Sequence, residues 1–222
     1  MLVYGVNVLK ELEPKKIKNV MTSRRDIIEY CTANKIKFQR LDNQTLNKMT
    51  KNNHQGVIID IYDYEYYDFK AIEGDFIVIL DHLEDPHNFG AIIRTCAAAG
   101  IKSIIIPKDR SVKVTDVVIK TSVGTINYVK IIMVSNLVDA INKLKKLGFF
   151  IYSADMHGVN YRTLDYSGKK VLVIGNEGKG ISNLVKENSD FLVTIPINPQ
   201  VESLNASVAA GILLYQMSSK DE

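Results

Sequence analysis

The chain has 222 residues, 46% of them hydrophobic and 24% charged, with a formal net charge of +3. That composition excludes a disordered or fibrous polymer and fits one large domain or a medium domain with a small one. No apolar run approaches the roughly 18 residues that a membrane helix needs, and residues 1–7 lack the basic start and long apolar core of a signal peptide. A cytoplasmic protein with no membrane partner is therefore expected.

Charge is unevenly spread: residues 1–67 hold 11 Lys/Arg against 8 Asp/Glu, whereas residues 68–222 hold 17 of each. A basic first part suits nucleic acid, and equally suits a solvated face on a small domain. In this part, residues 17–21 read as a strand and residues 24–33 as a helix, with Ile27, Ile28 and Cys31 on one face and Thr22 or Ser23 as its N-cap. Residues 36–39 alternate like a strand, Asp42 can cap a helix through Met49, and residues 55–61 form a further strand. The aromatic and acidic residues 62–74 read as a linker. The expected organisation is a small α/β domain over 1–67, a linker over 68–74 and a larger domain over 75–222.

The larger part alternates strands and helices. Strands are expected at 76–80, 103–106, 128–132, 149–153, 170–174 and 191–195, and helices at 89–99, 136–147 (capped by Ser135), 181–187 and 205–218. This alternation predicts a mostly parallel sheet with helices on both faces. The last helix is apolar on every side, which predicts burial in the core or in a subunit interface. Cys31 and Cys96 are too few for a disulfide framework and have no partner at metal-ligand spacing, so both are expected to be reduced and structural.

Three polar stretches follow strands. The first, residues 81–94, holds Asp81, His82, Asp85, His87 and Asn88 before a small-residue helix carrying Gly90 and Arg94. A strand opening through a polar loop into a helix is where α/β proteins place ligands, and an Arg fork one turn on suits a phosphate-bearing substrate. The second, residues 171–182, has glycines at 175, 178 and 180 around Glu177. It matches neither GxxxxGK[ST] nor GxGxxG, and Glu177 would repel phosphate, so a cationic or hydroxyl-rich ligand fits better than a nucleotide phosphate. The third runs from residue 191 through Pro196 and Pro199 to Ser203-Leu204-Asn205, where Ser203 and Asn205 are placed to cap the final helix.

Taken together, these stretches resemble the three signature motifs of the SpoU family of RNA ribose 2′-O-methyltransferases, within the SPOUT superfamily. Asn88, Gly90 and Arg94 match the first motif; Gly175, Glu177, Gly178 and Gly180 the second; Pro196, Ser203, Leu204 and Asn205 the third. Tyr4-Gly-Val-Asn-Val-Leu9 and His54-Gln-Gly-Val-Ile-Ile59 are similar to the ends of that family's substrate-binding domain. Asp85-Pro-His-Asn88, Pro107-Lys-Asp-Arg110 and residues 203–209 resemble the bacterial RlmB-type subgroup, which methylates a guanosine of 23S rRNA.

The resemblance implies a trefoil-knotted α/β domain preceded by a small RNA-binding domain similar to ribosomal protein L30e. It also implies S-adenosylmethionine as cofactor, no metal, RNA as substrate (23S rRNA) and a homodimer. The cofactor would lie against Ile174, Gly175, Asn176, Glu177, Gly178, Ile195, Pro196, Ile197, Leu204 and Asn205, with Thr121 and Gly124. Arg94 is implied in handling the ribose or its phosphate, Asn88 and Glu177 in orienting Arg94 or a substrate group, and Ser203 and Asn205 in fixing the substrate and the loops. His82, His87 and His157 read as loop or surface residues and Cys96 as core; Arg110 and Lys113 are candidates to hold RNA. Three other readings stay open: a tRNA or other-site rRNA methyltransferase, a non-catalytic RNA-binding or ribosome-assembly factor on the same fold, and a doubly wound nucleotide enzyme. The intact motif residues speak against the second, and the missing GxGxxG against the third.

Overall fold

The computed structural model describes residues 1–51 and 53–218. By its contacts the chain divides into two compact units, residues 1–65 with 114–127, and residues 66–113 with 128–222. The division differs from the expected one in returning residues 114–127 to the first unit.

The first unit contains β1 (Leu2–Tyr4), α1 (Val6–Glu11), β2 (Ile17–Thr22), α2 (Arg25–Ala33), β3 (Phe38–Arg40), α3 (Asn43–Met49) and β4 (Val57–Ile61). Its sheet has the order β1-β4-β2-β3. β4 is antiparallel to both neighbours, while β2 and β3 are parallel. Ile27 and Cys31, four residues apart on α2, are buried, and Met21, Leu46 and Ile58 form a core to which Leu2, Tyr4 and Leu41 add. Asp42 caps α3 as expected, its carboxylate accepting from the Thr45 N–H at 2.7 Å. The cap of α2 does not fall as expected. Arg24 takes that position without a side-chain capping bond, because the Thr22 hydroxyl is spent accepting from the Arg24 N–H (3.1 Å) and donating to the Gly56 carbonyl (2.8 Å).

The second unit begins with Tyr67, which forms a parallel bridge to Ile132, and with Phe69 and Ile72, which pack on the core. The presumed linker is thus partly built into this unit and covers a sheet edge. There follow β5 (Phe76–Asp81), α4 (Pro86–Ala98) and β6 (Ser103–Pro107). α5 (Asp116–Thr121), which packs on β1 in the first unit, precedes β7 (Lys130–Val134), α6 (Leu137–Lys146), β8 (Phe150–Asn160), β9 (Lys170–Gly175), α7 (Asn183–Glu187), β10 (Phe191–Thr194) and α8 (Ala206–Ser218). α6 is capped by Asn136, which accepts from the Val138 N–H at 2.8 Å, and not by Ser135. α8 is buried through Ala206, Ala210, Leu213, Leu214 and Met217, and packs on α4. Val208 and Tyr215 remain exposed.

The six strands form one wholly parallel sheet in the order β10-β8-β9-β5-β6-β7. Strands buried on both faces read as continuous apolar runs, which is why Ile77–Leu80 and Val171–Ile174 were recognisable. From β5 the chain runs outward through β6 and β7, then crosses over to β8 and β9 on the other side. β5 and β9 therefore flank the point where strand order reverses, and in open α/β sheets ligands usually bind beyond the carboxyl ends of such strands.

Candidate active site

The first stretch is anchored by Asp81, the last residue of β5, opposite Gly175 at the end of β9. Asp81 is buried. One carboxylate oxygen accepts from the Ser182 N–H at 2.7 Å and the other meets His82 Nδ1 at 2.6 Å. A buried carboxylate must be paired in this way to offset its desolvation. His82 adopts a left-handed backbone with φ 57°, which turns the chain toward α4. Asp85 then caps α4 by accepting from the His87 N–H at 2.9 Å, with Pro86 in the first turn. The helix starts three residues earlier than expected, because Asp-Pro is itself a start signal. It carries Asn88, buried, in its first turn.

The glycine stretch closes on itself. Asn176 and Gly180 exchange backbone hydrogen bonds of 3.0 and 2.9 Å. The Asn176 side-chain oxygen accepts from the Gly178 and Lys179 N–H groups, and its nitrogen donates to the His82 carbonyl at 3.0 Å. A Cβ on Gly175 would lie 2.3 Å from the Gly180 carbonyl carbon. Gly175 is therefore required by the loop's own backbone, and the exposed part of the loop runs from Glu177 to Gly180.

Beyond β10, residues 195–205 form no helix or strand. Asn205 caps α8, its side-chain oxygen accepting from the Ser207 and Val208 N–H groups at 2.9 and 3.3 Å. That leaves its nitrogen to donate to Asn88 Oδ1 at 3.0 Å, and Asn88 in turn donates to Glu177 Oε1 at 2.8 Å. The direction of this chain is fixed from both ends. The Asn205 oxygen is committed to backbone N–H groups, and a carboxylate can only accept. All three stretches meet in one Glu177–Asn88–Asn205 relay at the strand ends.

The other expected residues are placed as follows. Arg94 lies six residues along α4 from Asn88, about 9 Å along the axis and on a different face. It is exposed and has no hydrogen-bond or ion-pair partner among the described residues. Asn88 bonds to Glu177 and to Asn205, and among the described residues neither Asn88 nor Glu177 bonds to Arg94. Ser203 is exposed and has no such partner among the described residues, and Leu204 is half-buried. Ile174 is buried in the sheet, while Ile195 and Ile197 are half-buried and Pro196 exposed. Thr121 and Gly124 belong to the first unit. A Cβ on Gly124 would stand 2.0 Å from that of Glu11, so this glycine serves close packing on α1.

His157 is exposed, with its N–H on Asp155. Burial pushes the Cys96 thiol well above its ordinary range, which makes it an inert core residue. Lys113 donates to the carbonyls of Pro107 and Lys108. Desolvation lowers its pKa, with Asp109 opposing and Lys108 assisting. Arg110 is exposed in a left-handed conformation. Among the described residues no group of three His, Cys, Asp or Glu is placed to hold a metal, and no helix is long and apolar enough to cross a membrane. Sequence reasoning overlooked the bracing roles of Asp81 and Asn176. The one signal was position, each standing at or just past the end of an apolar run.

Residues 75–215 match the SpoU rRNA Methylase family, and residues 2–67 match the RNA 2′-O ribose methyltransferase substrate binding domain. A Staphylococcus saprophyticus protein assigned to the TrmH family of tRNA/rRNA methyltransferases is 40% identical, covering 99% of this chain and 91% of its own. Among solved structures, an AdoMet-bound rRNA methyltransferase from Sinorhizobium meliloti superposes with a TM-score of 0.83 at 27% identity, covering 97% of this chain and 85% of that one. The TrmH/SpoU tRNA modifying enzyme of A. aeolicus superposes with a TM-score of 0.60 at 35% identity, over 66% of this chain and 75% of that one. The chain belongs to the SpoU family of RNA methyltransferases, with that family's substrate-binding domain at its N-terminal end.

Proposed function

We propose that the protein transfers a methyl group from S-adenosylmethionine to a ribose 2′-hydroxyl of RNA, at a guanosine of 23S rRNA. The observation that carries this reading is the Glu177–Asn88–Asn205 relay, which brings the three family motifs together where the parallel sheet reverses its strand order. The surroundings fit the cofactor. Among the described residues, the backbone groups of Ile195 and Ile197 have no hydrogen-bond partner, and they lie just past β10, free to meet an adenine edge. Glu177 supplies a negative charge suited to a cationic or hydroxyl-bearing group.

When bound, S-adenosylmethionine supplies an already activated methyl group on a sulfonium, so no metal is needed. The chain's own residues then have three tasks. The relay holds the glycine loop and the start of α8 in fixed register, which positions the reactants. Arg94 offers a permanently charged fork to the phosphate beside the reacting ribose and to the oxyanion that develops as the hydroxyl attacks. A guanidinium stays protonated in proteins, so Arg94 acts as a fixed charge, and the hydroxyl proton leaves to solvent water. Ser203, exposed beside Asn205, hydrogen-bonds the substrate. Residues 75–218 adopt the family's trefoil knot, and two copies pair through the exposed Val208–Tyr215 side of α8.

Methylation of tRNA is the second reading, favoured by relatives named for both RNAs and by the A. aeolicus tRNA modifying enzyme. Incubation with labelled S-adenosylmethionine and unmodified 23S, 16S or tRNA transcripts, followed by mapping of the modified ribose, separates these readings. Label at a 23S guanosine is expected. Label on tRNA moves the target, and no label on any RNA leaves a binding factor.

A further inference from the structure

The first unit contains a cleft of about 310 Å³, lined by Asn43, Asn47, Asn53, His54, Gln55 and Gly56. Its lining is unusual in composition: four carboxamides, one imidazole and one glycine, with no carboxylate and no large apolar side chain. Its volume is at the small end of ligand pockets, the size of a nucleobase with part of its sugar rather than of an extended peptide. Asn43 and Asn47 stand one turn apart on α3 and share a face.

The hydrogen bonds decide which way these amides point. His54 is only 7% exposed. Its Nδ1 accepts from the Gly56 backbone N–H at 3.0 Å. A neutral imidazole accepting at Nδ1 carries its proton on Nε2, so His54 donates to Asn47 Oδ1 at 2.8 Å. The Asn47 oxygen is thereby committed and its NH₂ group is left over. Asn43 is held in the same sense, its oxygen accepting from the Ser23 hydroxyl at 2.6 Å. Among the described residues, the side-chain nitrogens of Asn43 and Asn47 and the Gln55 carboxamide have no hydrogen-bond partner. Gln55 sits in a left-handed turn with φ 51°, and the stem of Arg24 borders Gly56. Lys48 and Lys51, both exposed, flank the lining in the chain.

We propose that this cleft takes one unpaired nucleobase of the RNA, read by an acceptor edge such as the keto edge of guanine or uracil. The inference rests on the RNA-directed reading above and names where in the substrate-binding domain the strand is read. The amide NH₂ groups of Asn43 and Asn47, whose oxygens are already engaged, select acceptors, while the free Gln55 amide can match the keto oxygen and adjacent N–H of guanine or uracil together. Recognition of single-stranded RNA works through bases splayed out of the stack. Lys48 and Lys51 hold the flanking phosphates and carry no base preference.

The test uses the full-length protein without cofactor. Fluorescence anisotropy measures binding to uridine and adenosine oligonucleotides of about 12 nucleotides, and to the duplex made by annealing them. The parent is expected to bind the uridine strand about 10-fold more tightly than the adenosine strand, and the duplex no better than the adenosine strand. Asn43→Ala with Gln55→Ala, both exposed positions whose loss leaves His54 paired, is expected to erase that preference while thermal melting and S-adenosylmethionine binding stay as in the parent. Lys48→Ala with Lys51→Ala is expected to weaken both single strands equally and to flatten the salt dependence. Equal affinity of the parent for the three RNAs, or an unchanged preference in the Asn43/Gln55 variant, overturns the cleft assignment. Since no methyl transfer is measured, a protein that selects uridine yet methylates nothing would refute only the proposed activity.

Discussion

The two units treat their clustered polar side chains in opposite ways. In the six-stranded sheet these side chains are bonded to one another. Asp81 holds His82 and Ser182, Asn176 ties its own loop to His82, and Asn88 joins Glu177 to Asn205. In the first unit, by contrast, Asn43 and Asn47 on α3 keep their donors unused among the described residues, with only their oxygens engaged. A closed network fixes geometry, as a reaction demands, and Asn88, the buried member of the relay, would be costly to leave unsatisfied. An open, solvated set of donors costs little while empty, and a ligand supplies its missing acceptors. The difference separates a frame for chemistry from a surface for reading.

The largest effect is expected where the frame meets the reacting atoms. Arg94→Ala is expected to lower methyl transfer by about 1,000-fold, with calorimetric cofactor affinity and the melting curve unchanged, since Arg94 has no partner to lose among the described residues. A single-turnover rate near that of the parent would remove Arg94 from the chemistry and leave the relay as the only functional core.

Next comes the relay itself. Asn88→Asp keeps the shape and the acceptor for Asn205, but it replaces the donor to Glu177 with a like charge. It is expected to cost about 1–3 kcal/mol in denaturant unfolding and to weaken cofactor binding, while RNA binding by the first unit is retained. Asn88→Ala removes the repulsion and should be the milder change. The reverse order would mean that Asn88 acts by packing alone.

Legibility followed the same divide. Strands β5, β6 and β9 were readable because burial on both faces demands apolar runs. The site residues Asn88, Glu177 and Asn205 were recognisable as motif members, although nothing in their spacing says that they bond to one another. The far half of β8 was not readable. Residues 154–160 are half-buried or exposed, and the strand resumes its pairing with β10 only at Val159 and Asn160, after a register shift. Gly158 admits that neighbour, since a Cβ there would sit 2.4 Å from the Leu192 carbonyl carbon. Tertiary pairing of this kind leaves no periodic trace. The packing role of Gly124 was not readable for the same reason, since the glycine answers to Glu11, a residue distant in sequence.

A smaller effect is expected at the start of α8. Asn205→Ala removes both the cap and the donor to Asn88, and is expected to cost about 1 kcal/mol or somewhat more. Asn205→Asp keeps the cap but presents a carboxylate to the Asn88 oxygen, so it should restore part of the stability and none of the cofactor affinity. Parallel recovery of both would show that capping is the whole role of Asn205.

The finest probe of the comparison is the pair of thiols, one in each unit. Cys31 on α2 and Cys96 on α4 are both buried, and burial raises both thiol pKa values. A raised pKa leaves the native thiol protonated and unreactive at pH 8, so iodoacetamide must wait for local opening, after which the thiolate fraction returns to that of a free cysteine with pKa about 8.5. Labelling of each site should therefore speed up as pH rises, and at fixed pH it should report how often that unit opens. The first unit has the smaller sheet, and its edge strand β3 is exposed at all three residues. Cys31 is thus expected to react about 10-fold faster than Cys96, a difference in opening of about 1.4 kcal/mol, read by mass spectrometry of the two peptides. Equal rates would mean that both units open in one cooperative step, and the contrast between a rigid frame and a looser reading surface would not extend to their stability.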